Sequence, residues 1–104
     1  MNKEIAKIYQ IKDISKCKYA FMNYDYAKNN NFNFNNYQET ANITITDKIT
    51  NKNINTILEM IFAYGNIKQD FFKNNKKARS ISESDIIELK GHKYYVNDIG
   101  FVEL

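Results

Sequence analysis

Polar and apolar positions alternate most cleanly between Tyr37 and Thr46. Tyr37, Ala41, Ile43 and Ile45 fall on one side with Glu39. Gln38, Thr40, Asn42, Thr44 and Thr46 fall on the other, as in a strand with one buried and one wet face. Asp47 to Asn51 reads as a turn, after which the period lengthens. Ile54, Ile57, Leu58, Ile61 and Phe62 recur at i, i+3, i+4, i+7 and i+8, the stripe of an amphipathic helix. Asn51 or Asn53 is placed to cap its start, and Gly65 to supply a left-handed stop. Its polar face (Asn55, Thr56, Glu59, Ala63) carries little charge, which suits a helix lying on a sheet better than one lying on nucleic acid. Asn66 to Ala78 then reads as a connector, anchored by Phe71 and Phe72, with Lys73, Lys76 and Lys77 in solvent.

The end of the chain has a shorter rhythm. Ser80, Ser82, Ser84 and Asp85 carry short polar side chains that bond to nearby backbone N–H groups and favour turns. Ile86 to Leu89 is too short for a helix and rich in β-branched residues, so it reads as a strand. Lys90-Gly91-His92 is a hairpin loop, Tyr94 to Val96 the return strand and Asn97 to Gly100 a second turn. Phe101 to Leu104 closes a three-stranded antiparallel meander. At the other end, Ile5, Ile8 and Ile11 recur every third residue while their β-branching favours a strand, and the residues alone leave both readings open. Asp13 to Lys16 is a turn. Tyr19 to Tyr26 is either a strand or an irregular aromatic segment. Asn29 to Asn36 is a polar loop in which Phe32 and Phe34 either tuck under the sheet or form a contact surface.

The run Arg79-Ser80-Ile81-Ser82-Glu83-Ser84-Asp85-Ile86-Ile87, then Tyr94-Tyr95-Val96 and Gly100-Phe101, resembles the YodL-like domain. That family comprises small proteins, and modules of larger ones, from phages and conjugative elements of low-GC Gram-positive bacteria. Asp70-Phe71 and Ile8-Tyr9-Gln10-Ile11 extend the similarity over most of the chain and favour a strand at residues 4 to 12. Two departures stand out: Glu83 occupies a position that is usually apolar, and the upstream prolines are missing. The resemblance implies no catalytic residues. The expected architecture is a single α+β domain over residues 1–104, an antiparallel sheet with one main helix packed on it.

Composition changes this picture little. A chain of 104 residues can bury a core without disulfides or metal. The formal charge is only +3, and fourteen of the fifteen basic residues are lysine, a pattern expected of AT-rich coding. The one arginine, Arg79, is either a structural clamp on Asp85 or a backbone carbonyl, or a partner contact. Cys17 excludes an internal disulfide and fits a reducing cytoplasm, and it reads as a small buried hydrophobe despite its flanking lysines. No apolar run is long enough for a membrane span or signal peptide. One cysteine and one histidine make no zinc site, and neither a calcium loop nor a phosphate loop is spelled out. A Ser84, His92 and Asp98 triad can be imagined, but no nucleophile elbow accompanies it.

No enzyme activity and no cofactor or metal are therefore expected. The expected function is a cytoplasmic phage or mobile-element protein that binds and modulates a host protein or nucleoprotein complex. A defence-system inhibitor such as an anti-CRISPR protein is the specific version. Tyr24, Tyr26, Phe32 and Phe34, with Arg79 and Glu83, are the expected partner contacts, because aromatics and arginine anchor protein interfaces. The alternative is single-stranded nucleic-acid binding, with Lys16, Lys18 and Lys28 tracking phosphates and Tyr19, Phe21, Tyr24 and Tyr26 stacking on bases. The sequence leaves oligomeric state open.

Overall fold

The structure, a computed structural model, describes residues 4–46 and 52–104. Strand β1 (Glu4–Ile11) is followed by helix α1 (Tyr24–Lys28), strand β2 (Tyr37–Ile45), helices α2 (Ile54–Ile67) and α3 (Gln69–Asn74), and strands β3 (Ile86–Leu89), β4 (His92–Val96) and β5 (Phe101–Glu103). Single turns of 3-10 helix lie at Ile14–Lys16 and Phe34–Asn36. The five strands make one sheet in the order β2-β1-β3-β4-β5, and each neighbouring pair is antiparallel. The fold is α+β.

Register determines which side chains meet on each face. Ile87 lies opposite both Ile8 and Tyr94, and Ile86 opposite both Tyr9 and Tyr95. Successive residues point to opposite faces. One face therefore carries Ala6, Ile8, Ala41, Ile43, Ile87, Leu89, Tyr94 and Val96, packed against Ile57, Leu58 and Ile61 of α2, Phe71 of α3 and Ile81. The other carries Ile11, Tyr37, Ile86 and Tyr95, covered by Tyr19, Ala27, Tyr24 and Phe32 from residues 17–32. Both faces are covered, where the sequence reading covered one.

The cause is a β-bulge. Ile8 pairs with Ala41 but Tyr9 with Glu39, so Thr40 is an extra residue in β2. Beyond it the alternation inverts: Tyr37 points to the aromatic side while Ala41, Ile43 and Ile45 point to the helix side. The expected grouping of Tyr37 with those three residues, and of Thr40 on a wet face, is thus corrected. Thr40 is buried, and its hydroxyl donates to Gln10 Oε1 at 2.7 Å.

Helix α2 starts at an asparagine cap, with Thr56 N–H donating to Asn53 Oδ1 at 2.9 Å. The alternative cap Asn51 and the predicted 47–51 turn lie outside the described residues. A helix of 14 residues without a run of alanines is marginal by itself in water. Burial of Ile57, Leu58 and Ile61, at roughly 1.5–3 kcal/mol each, is what holds it. The helix runs through Gly65 to Ile67, and a second helix follows at once, so neither the stop at Gly65 nor a plain connector over Asn66 to Ala78 is observed. Gly65 serves another purpose. A Cβ there would lie 2.2 Å from Ile81 Cδ1, and Ile81 N–H donates to the Gly65 carbonyl at 3.2 Å.

The β3–β4 hairpin turns on two residues, Lys90 and Gly91, with φ of 53° and 81°. Positive φ at both central positions is the type I′ geometry that matches strand twist. His92 is accordingly the first residue of β4, paired with Leu89, and not part of the loop. Tyr19 to Tyr26 is no strand either. It bends and enters α1, whose N-cap Asn23 accepts from Tyr26 N–H at 2.9 Å.

Candidate functional site

The serine-rich turn before β3 is built around Asp85, whose side chain is almost wholly buried. Its Oδ2 accepts from Ser82 N–H at 2.9 Å and from Gln10 Nε2 at 3.0 Å. Gln10, buried in β1, also donates to the Arg79 carbonyl at 3.0 Å, and its Oε1 accepts from Arg79 N–H at 3.0 Å. The Arg79 guanidinium donates to the Ile11 carbonyl at 3.3 Å, the backbone clamp that one reading of this arginine required. A single glutamine thus clasps both ends of a turn some seventy positions further along. Burial pushes the Asp85 carboxyl up to about 6, against the opposing pull of Gln10, the Ser82 N–H and the Arg79 charge. Its Oδ1 has no hydrogen-bond partner among the described residues.

Ser84 is held more tightly still, at φ 85°. Its N–H donates to the Val96 carbonyl at 2.9 Å, and its own carbonyl accepts from Tyr37 Oη at 2.7 Å. Its Oγ accepts from Phe21 N–H at 2.9 Å. Phe21 is also left-handed, at φ 65°, which for a bulky side chain costs about 1–2 kcal/mol. Two further bonds fix this bend. Tyr95 Oη donates to the Met22 carbonyl at 2.7 Å, and Tyr24 N–H to Asn97 Oδ1 at 2.8 Å. The bend is therefore rigid, yet it leaves Phe21 46 % and Met22 40 % exposed. Beside it the β4–β5 turn, closed by Asn97 N–H to the Gly100 carbonyl at 3.0 Å, leaves Ile99 87 % exposed.

Glu83 and Asp98 flank this apolar end. Burial first, and then the nearby Asp98 charge, raises the Glu83 carboxyl above its ordinary range. Neither carboxylate is ion-paired with a basic side chain among the described residues. Asp98 Oδ1 accepts from Ile99 N–H at 3.0 Å.

The expected contact residues are dispersed. Phe32 sits in the aromatic core, within 5.7–6.0 Å of the rings of Tyr19, Tyr24, Tyr37 and Tyr95. Tyr24 packs on Tyr95 at 5.1 Å, with Lys28 Nζ 5.4 Å from its ring centre. Phe34 stacks on Tyr37 at 5.9 Å and 14°, and Lys93 Nζ lies 5.2 Å from its centroid. Phe34 keeps 37 % of its surface exposed and Tyr26 39 %. Arg79 is half-buried at its clamp, and of the six only Tyr24, whose N–H helps to fix the bend, and Glu83, next to Ser84, adjoin Phe21–Met22. Sequence reasoning missed Met22 and Ile99 altogether and weighed Phe21 only as a base-stacking ring. Ile99 carried a signal, as a large apolar residue at the centre of a predicted turn.

The imagined triad is not brought together. Ser84 is bonded beside Val96 at one end of β4, while His92 begins the strand at its other end, with Nδ1 2.8 Å from Glu103 Oε2. Asp98 is exposed and bonded to its neighbour Ile99. A cleft of about 800 Å³ between β2 and α2 is lined by Ile43, Ile45, Ile57, Ile61 and Tyr64, and among the described residues its one charged side chain is Lys68. Among the described residues no three His, Cys, Asp or Glu side chains are grouped to hold a metal ion, and no helix is long and apolar enough to cross a membrane.

A five-stranded antiparallel sheet with α2 and α3 on one face, an aromatic layer that includes α1 on the other and a polar clasp from its first strand to the turn before its third defines a small α+β module. The model of the YodL-like domain matches residues 5–104, and the chain belongs to that family. No curated protein and no solved structure matches it.

Proposed function

We propose that this chain is a non-catalytic protein-binding module of a phage or other mobile element, which acts in the host cytoplasm by occupying or remodelling a host protein. Inhibition of a defence system, in the manner of an anti-CRISPR protein, is the specific form of that activity put forward here. The observation that carries the reading is the Phe21–Met22 bend. Three hydrogen bonds and a strained backbone hold two large apolar side chains in water. A fold that merely needed a connection between β1 and α1 has no use for that arrangement, whereas a preorganised apolar anchor lowers the cost of binding.

The competing reading, a platform for single-stranded nucleic acid, needs open ring faces beside free lysines. Of the four rings that reading uses, Tyr19 is buried and Tyr24 is packed on Tyr95 with Lys28 near its ring, which leaves Phe21 and Tyr26 exposed. Two measurements separate the readings. Oligonucleotide titrations across a salt series are expected to show only weak binding, and tight binding that falls steeply with salt overturns the proposal. Affinity capture from a low-GC Gram-positive lysate is expected to retain a protein through a high-salt wash, and capture of nothing above background counts against it.

A further inference from the structure

We infer that the end of the molecule formed by the Phe21–Met22 bend and the β4–β5 turn is the docking face, and that its partner is a protein segment presenting a basic side chain among apolar ones. This rests on the protein-binding reading above and specifies its chemistry. The apolar part is Phe21, Met22 and Ile99, three of the large hydrophobic side chains left exposed. The bond from Tyr95 Oη to Met22 O and that from Tyr24 N–H to Asn97 Oδ1 tie the bend to the strand and turn that carry Ile99.

The charged part is Glu83 and Asp98. Asp13, Asp25 and Glu88 each have a lysine within ion-pair reach, Lys16, Lys28 and Lys93. At this end Glu83 precedes Ser84, whose Oγ holds the Phe21 N–H, and Asp98 holds the Ile99 N–H. The two carboxylates disfavour one another, and neither is ion-paired with a basic side chain among the described residues. A lysine or arginine from outside relieves that repulsion, and its apolar neighbours cover Phe21, Met22 and Ile99. The same charges exclude the other occupants. A phosphate backbone is repelled, and a second copy docking through a two-fold axis sets this acidic end against itself.

The test is NMR of the ¹⁵N-labelled full chain with three probes: a blocked apolar hexapeptide carrying two arginines, the same peptide with two glutamates, and oligo-dT. The arginine peptide is expected to shift the amides of Phe21, Met22, Glu83, Asp98 and Ile99, and the glutamate peptide and oligo-dT to leave them unmoved. The double variant Glu83→Gln/Asp98→Asn, isosteric and on the surface, is expected to keep the wild-type spectrum and melting temperature and to bind the arginine peptide about tenfold more weakly.

Equal shifts from both peptides, no shift from either, or shifts from oligo-dT overturn the assignment. Movement of these amides on simple dilution does so as well, since the occupant is then a second copy. If the arginine peptide is silent while a protein captured from lysate is held equally by the wild type and the double variant, the docking face is wrong and the protein-binding reading stands. If capture also yields nothing, both fall.

Discussion

Burial withholds water from the Asp85 carboxylate, and hydrogen bonds from Gln10 and Ser82 with the Arg79 charge only partly replace it, so its pKa rises to about 6. An aspartate in the unfolded chain titrates near 3.9. The folded state therefore holds this proton more tightly. The resulting stability is fully present below the unfolded value and is lost as pH climbs towards 6, by about 3 kcal/mol for a shift of roughly two units. Urea midpoints measured across that interval are expected to fall for the wild type as pH rises. Asp85→Asn is expected to flatten that slope whatever its absolute stability, and an unchanged slope in the variant shows that another group is responsible. The Ser84 hydroxyl reaches back 63 positions to Phe21, but the turn chemistry of Ser82 and Asp85 was legible from residue type, because short polar side chains act on backbone two or three positions away. The clasp was not. Gln10 reaches Asp85 across 75 positions, and nothing local in Tyr9-Gln10-Ile11 marks its amide as the buried partner.

The elements were legible where a period runs unbroken and illegible where one residue interrupts it. Helix α2 and strands β3 and β4 follow from spacing and β-branching. The bulge at Thr40 does not, because a sequence pattern carries no record of the partner strand's count, and the inverted face of Tyr37 went with it. Gly65 was misread for a related reason. A glycine near the end of an apolar stripe signals a helix stop only when no neighbour needs the space, and here Ile81 fills it. Gly65→Ala is accordingly expected to destabilise. Alanine gains about 1 kcal/mol of helix propensity, but its Cβ lands 2.2 Å from a methyl group of Ile81, a residue with no exposed surface. Overpacking of that kind costs about 1–3 kcal/mol, so thermal unfolding of the variant should begin at a lower temperature. A raised melting temperature contradicts the packing account.

For the molecule as a whole, the consequence of covering the sheet twice is cooperativity. Ile8 and Ile87 serve the helix-side core while Ile11 and Ile86, in the same two strands, serve the aromatic one. Neither layer can dissolve without exposing the strands that carry the other. Far-UV circular dichroism, which follows α2, and near-UV tyrosine signals, to which Tyr19, Tyr37 and Tyr95 on the opposite face contribute beside Tyr94 on the helix side, are expected to give one denaturation midpoint. Two resolved midpoints show that the layers come apart independently. The exposed apolar surface was the least legible level, since it depends on which aromatics the second core consumes: Tyr24 and Phe32 were taken inward, and Phe21 and Met22 were left outside. The rim of the sheet carries a last consequence. Asn75 accepts from Asn42 N–H at 3.0 Å and reaches back to the Asn42 carbonyl at 3.5 Å, so one side-chain amide stands where a neighbouring molecule's backbone would have to run. Edge-to-edge pairing of sheets into fibres along β2 must first evict it, which blunts at its middle the longest ribbon this chain shows to the outside.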